Sequence, residues 1–184
     1  MTDRLPPIPF ECLSDIQQVV AQDVINGPRG ALYGPFIPLI RSPELMSAVQ
    51  KMGKYLRYRS AIGTRLSELA ILVTARQWNQ QVEWAIHVPI AEQNDISPGT
   101  INAIALRQRP TKMTEDEALV HDFCVELHTQ KQVSDGTYFA ALARFGEHGV
   151  VDLIGINGYY TFLAMVMNTA RTTVTISQVK PLPE

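Results

Sequence analysis

The stretch Glu68-Leu-Ala-Ile-Leu-Val-Thr-Ala-Arg-Gln-Trp-Asn-Gln80-Gln-Val-Glu83-Trp-Ala-Ile-His87 sets both the fold and the chemistry of this chain. From Arg65 on, Leu66, Leu69, Ala70, Leu72 and Val73 form an apolar stripe too wide for a surface helix. The first half therefore reads as a helix buried on most sides. The second half reads as a helix from about Asn79 to Asn94. Gln80, Glu83 and His87 fall at i, i+3 and i+7, which is one helix face. Glu68 stands on the helix before it. Val82, Trp84, Ile86 and Val88 are apolar, so Glu83 and His87 are not a plainly solvated surface pair. Two carboxylates and an imidazole that meet in space form a proton-transfer site, because histidine exchanges a proton near neutral pH and a neighbouring carboxylate favours its charged form. On this reading His87 donates the proton, Glu83 orients it, and Glu68 relays protons or contacts substrate. Gln80 is expected to donate a hydrogen bond to substrate or to Glu68.

Punctuation on either side gives more helices. Residues through Phe10 are rich in proline and read as an extended arm. Ser14 caps a helix that ends near Asn26 at Gly27-Pro28. Residues 27–38 read as an apolar loop, with Leu32, Tyr33, Phe36 and Ile37 lying over a pocket or a neighbouring subunit. Ser42-Pro43-Glu44 starts a helix carrying Leu45, Val49, Met52 and Leu56. Pro89 withholds a donor from the carbonyl of Ala85 and predicts either a kink just after His87 or a free carbonyl there that orients a side chain. Ser97-Pro98 starts another helix, Thr114–Glu117 is a capping box for one ending near His128, and Ser134 opens one ending near Phe145. Gly149 to Asn168 is long and apolar, with Gly155 and Gly158 permitting close helix contact. Tyr159, Tyr160, Asn157 and Asn168 on it line a pocket or are satisfied in the core. A short strand is expected only at Thr173–Ile176. The fold class is all-α: a single domain over 1–184, with an N-terminal arm and helix in 1–40 and the core in 41–173.

The spacing resembles a known family. Redox members of the carboxymuconolactone decarboxylase / alkylhydroperoxidase D superfamily carry Glu, eleven residues, then Cys-x-x-Cys-x-x-x-His. Glu68 and His87 stand at that separation, with Gln80 and Glu83 at the two cysteine positions. The chain thus looks like the non-redox branch typified by 4-carboxymuconolactone decarboxylase, where Glu-Trp-x-x-His is common, as in Glu83-Trp84-Ala85-Ile86-His87. The match runs from about Ser42 to Ser97 and more loosely to Thr173. The resemblance implies an alkylhydroperoxidase D-like helix bundle and a cofactor-free lyase acting on a small unsaturated lactone or carboxylic acid, as in aromatic catabolism. His87, Glu83 and Glu68 would be catalytic, and Gln80, Trp84 and Tyr159 would bind substrate. It also implies a homo-oligomer, a trimer or hexamer. The rivals are a peroxidase of the alkylhydroperoxidase D type and a non-catalytic oligomeric small-molecule-binding protein.

Bulk properties narrow the field. At 184 residues, 46% hydrophobic and 18% charged, the chain fits one domain with a sizeable core. A net charge of −2 without a basic stripe argues against nucleic acid. No apolar run is expected to span a membrane, and Met1-Thr-Asp-Arg-Leu-Pro-Pro lacks a signal-peptide layout. Cys12 and Cys124 alone do not build a disulfide framework, so a reduced, cytoplasmic setting is expected. His121, Cys124 and His128 share helical spacing but lack a partner motif, so no metal is expected.

Overall fold

The helix that carries Glu68 is the axis of the molecule. In the computed structural model, which describes residues 2–175 and 178–184, it spans Gly63–Gln77, and every residue from Leu66 to Arg76 is buried. Elements in chain order are α1 (Asp15–Ile25), α2 (Phe36–Leu39), α3 (Pro43–Tyr58), α4 (Gly63–Gln77), α5 (Gln81–Gln93), α6 (Pro98–Ala105), α7 (Glu115–Gln130) and α8 (Asp135–Ala170), preceded by a short 3-10 turn at Phe10–Cys12. α4 packs against α3, α5, α6, α7 and α8. Its Leu69, Ile71 and Leu72 are fully enclosed, each stabilising the fold by roughly 1.5–3 kcal/mol. One core runs from Leu13 to Leu182, so the chain is a single all-α domain, and no strand occurs among the described residues. The strand expected at Thr173–Ile176 is absent from 173–175, and Ile176 lies outside the described residues.

Local chemistry starts most of these helices. Ser14 with Gln17 and Thr114 with Glu117 form reciprocal capping boxes. Ser97 and Ser134 accept from the backbone N–H groups of Thr100 and Thr137. Ser42 makes no side-chain cap, and α3 begins on Pro43, whose missing N–H needs no partner there.

Two details differ from the sequence reading and two agree with it. The loop expected at 27–38 gives way to α2, which begins straight after Pro35 with its fixed backbone angle. α5 runs through Pro89 to Gln93, close to the extent expected. The two helices expected at Ser134–Phe145 and Gly149–Asn168 are both present within α8, parted by a kink at Gly146, whose φ of 67° and ψ of 176° are non-helical. Of the two glycines expected at close contacts, Gly155 meets Leu56 of α3, but Gly158 faces open space.

α8 is also long and apolar enough, by length and composition, to cross a bilayer, with a mean hydropathy of 1.5 over eighteen residues. That corrects the expectation that no run reaches such a length. Just over half of that stretch, 56%, is buried inside the molecule, as in the core helix of a globular fold.

Candidate active site

Glu68 from the middle of α4 and Glu83 and His87 from the first turns of α5 converge where the two helices pack. His87 Nδ1 lies 2.6 Å from Glu68 Oε2, and its Nε2 lies 3.2 Å from Glu83 Oε2. All three are at most 2% exposed. A neutral imidazole has one N–H and can donate to only one of these carboxylates; the imidazolium donates to both. Burial opposes that charge most strongly, but the field and hydrogen bond of Glu68, then those of Glu83, overcome it and raise His87 to about 9. Histidine is therefore held as a cation at neutral pH.

The two carboxylates are not equivalent. Glu68 is fully enclosed, and its second oxygen faces Arg57 Nε at 3.8 Å. Glu83 lines a cavity of about 20 Å3, together with His87, Tyr160, Arg57, Arg29 and Phe36. That volume holds roughly one water molecule. Glu83 Oε1 is buried there without a hydrogen-bond partner, an acceptor that a ligand or water donor would satisfy. The Tyr160 ring meets His87 edge-on, with centroids 5.2 Å apart at 88°. Burial, then the charges of Glu83 and Glu68, push the Tyr160 hydroxyl well above its ordinary range, so it stays protonated as a donor.

The cavity is roofed by the segment from Arg29 to Phe36. Arg29 lies over the Phe36 ring, 4.7 Å from its centre. Gly30 and Gly34 hold left-handed backbone angles, φ 72° and 56°, which residues with a Cβ adopt at a cost. The apolar segment thus covers a pocket of its own chain.

Other expected site residues lie elsewhere. Gln80 precedes α5 as its N-cap: its Oε1 accepts from the N–H groups of Val82 and Glu83, and its Nε2 donates to Asn168 at 2.8 Å. It is a capping group rather than a cavity residue. The Trp84 indole donates to the Lys180 carbonyl at 3.3 Å, beside a separate cavity under the C-terminal segment. Tyr159 sits behind Tyr160, ring to ring at 5.2 Å, with its hydroxyl against Gly53 rather than the His87 cavity. Arg29 and Arg57 are invisible to sequence patterning, since neither has a spacing relation to Glu83 or His87. His121, Cys124 and His128 do not converge. His121 Nδ1 contacts Asp122 at 2.9 Å, Cys124 accepts from the Asn157 amide at 3.2 Å, and His128 meets the Thr74 hydroxyl at 3.1 Å. No group of three or more such side chains among the described residues is placed to hold a metal.

This architecture is the alkylhydroperoxidase D-like helical fold. The chain superimposes on the alkylhydroperoxidase core of an uncharacterized peroxidase-related protein from Ralstonia eutropha JMP134 with a TM-score of 0.77. The identity is 16%, covering 94% of this chain and 92% of that one. An uncharacterized peroxidase-related protein from Silicibacter sp. TM1040 is similar with a TM-score of 0.75 at 13% identity, over the same shares. At these identities the likeness is one of fold. No protein-family model and no curated protein matches the sequence.

Proposed function

We propose that the chain is a cofactor-free acid–base enzyme of the carboxymuconolactone decarboxylase kind, acting on a small unsaturated lactone or carboxylic acid. The observation that carries the reading is the imidazolium of His87 clamped between two buried carboxylates beside the cavity. Arg29 and Arg57 line the same cavity and favour an anionic ligand. In such a decarboxylation the bond to the carboxylate breaks and CO2 leaves. Its electron pair passes into the conjugated system, and a carbon of the product takes up a proton. His87 supplies that proton from Nε2, whose hydrogen bond to Glu83 is the longer of its two. Glu68 holds the ring and its tautomer through Nδ1. Glu83 faces the reactants and, through its unpartnered oxygen, orients a substrate donor. This exchanges the roles that the sequence reading gave to the two glutamates. A cavity of one water's size admits such a substrate only after the Arg29–Phe36 segment moves away.

The test is turnover of a panel of small unsaturated lactone acids, followed by CO2 release. The wild-type chain turns over at least one, and His87→Gln and Glu83→Gln lower the rate at least ~100-fold. Equal rates in all three proteins would remove the reading.

The peroxidase-related neighbours favour a second reading, thiol peroxidase chemistry. Its reactive sulfur would have to be Cys12 or Cys124, and neither lines the His87 cavity. Cys124 is fully buried, and burial pushes its thiol up to about 12, far from the thiolate that such chemistry needs. Peroxide consumption with dithiothreitol, lost in Cys124→Ser, would establish this reading instead.

A homo-oligomer belongs to the same proposal. Val151, Ile154 and Met165 of α8 and Leu45 and Met52 of α3 leave apolar side chains exposed, which supports burial against another copy. A monomer mass by light scattering would count against it.

A further inference from the structure

Two helical turns along α4 from Glu68, a second cavity of about 400 Å3 opens toward α6 and α7. It shares no residue with the His87 cavity. Val73, Ile104 and Val125 give it an apolar floor, and Arg76, Arg107 and Arg109 gather at its sides. Arg76 is 5% exposed, and its Nε has no hydrogen-bond partner. Its Nη1 donates to Asn79 Oδ1, and the same oxygen accepts from Arg107 Nη2 at 3.1 Å. One neutral amide oxygen therefore holds two guanidinium groups together. Ion pairs among the described residues engage Arg57, Arg65, Arg109 and Arg144, but neither Arg76 nor Arg107.

Asp122, the one carboxylate lining this cavity, is already spent. Arg109 grips it with two bonds, Nε to Oδ1 at 3.0 Å and Nη2 to Oδ2 at 2.8 Å, and His121 adds a third contact. Three guanidiniums against one carboxylate leave two positive charges uncompensated. Burial, then the neighbouring Arg107, lower Arg76 from its ordinary range, the mark of a cation lacking a counter-charge. A lone carboxylate ligand would neutralise one of those charges; a phosphate dianion neutralises both. Planar guanidinium groups also match its oxygens two at a time. The volume suits a small organic ligand rather than a bare ion.

We propose that this cavity binds a small phosphorylated organic molecule, with Arg76 and Arg107 on the phosphate and Val73, Ile104 and Val125 covering its carbon part. The site is independent of the acid–base reading. It is tested by calorimetric titration of the full chain at fixed ionic strength with phenyl phosphate, inorganic phosphate and succinate. Phenyl phosphate is expected to bind saturably, at least tenfold more tightly than either of the others. Arg107→Gln, a change at an exposed side chain, weakens it at least tenfold, and so does Arg76→Gln. Binding of phenyl phosphate that is unchanged in Arg107→Gln, or a heat no larger than that of added sodium chloride, would overturn the proposal. Succinate binding as tightly as phenyl phosphate would overturn the choice of phosphate.

Discussion

Replacing Glu68 by glutamine should abolish most of the pH dependence of stability between pH 6.5 and 10. In the folded chain His87 is raised from 6.5 to about 9. A group raised by folding contributes stability that is fully present below its unfolded value and lost as pH climbs through its folded value. The window therefore opens near 6.5 and closes above 9. Each pH unit between the two values is worth about 1.36 kcal/mol, so the contribution is on the order of 3 kcal/mol. Glu68 is the largest of the raising influences, through a 2.6 Å contact with no solvent access. Glutamine keeps its shape but removes the charge, leaving burial opposed by Glu83 alone, so His87 falls back toward or below 6.5. The variant should be less stable by about 3 kcal/mol at pH 6.5, and the deficit should shrink toward pH 10, where the wild-type histidine is itself neutral. Urea unfolding at pH 6.5, 8 and 10 at constant ionic strength measures both curves. Lysine and tyrosine titrations are common to the two proteins and cancel in the difference. A deficit of the same size at all three pH values would refute the reasoning.

Other substitutions test the roof and its supports. A Cβ on Gly53 would overlap the Tyr159 hydroxyl and lie 2.9 Å from Arg29 Nη2. Gly53→Ala should therefore lose about 1–3 kcal/mol despite alanine's better helix propensity, seen as a lower Tm. Gly34→Ala places a Cβ residue at φ 56° and 3.3 Å from Ile86; it should cost about 1–2 kcal/mol and speed hydrogen exchange at residues 33–37. Thr114→Ala removes one half of a capping box and should cost about 1 kcal/mol by denaturant unfolding, leaving the His87 titration unmoved.

Helix starts are legible in the sequence because capping is local: Ser14, Thr114 and Ser134 announce α1, α7 and α8 within four residues. The buried character of α4 is legible from its wide stripe, and the Glu68–His87 separation brings the right side chains to one crossing. Gln80 misleads because helical spacing extends one residue past the true start of α5, and a capping residue points along the backbone rather than into the face. Trp84 and Tyr159 share elements with the site but are turned to other neighbours, a matter of packing that no spacing shows. Arg29 and Arg57 reach the cavity from a loop and from α3, more than twenty residues before Glu83, so only the tertiary fold reveals them. α2 is hidden because Gly34-Pro35 before it and Pro38 within it are loop signals, while its four residues are too few to show a period.

The central claim is that His87 is a cation held between two carboxylates. Nitrogen NMR of the imidazole-labelled chain at about pH 7.5 tests it most directly. Both ring nitrogens of His87 should show the shifts of protonated imidazolium, and those shifts should persist until the pH nears about 9. One protonated and one bare ring nitrogen at that starting pH would contradict the account.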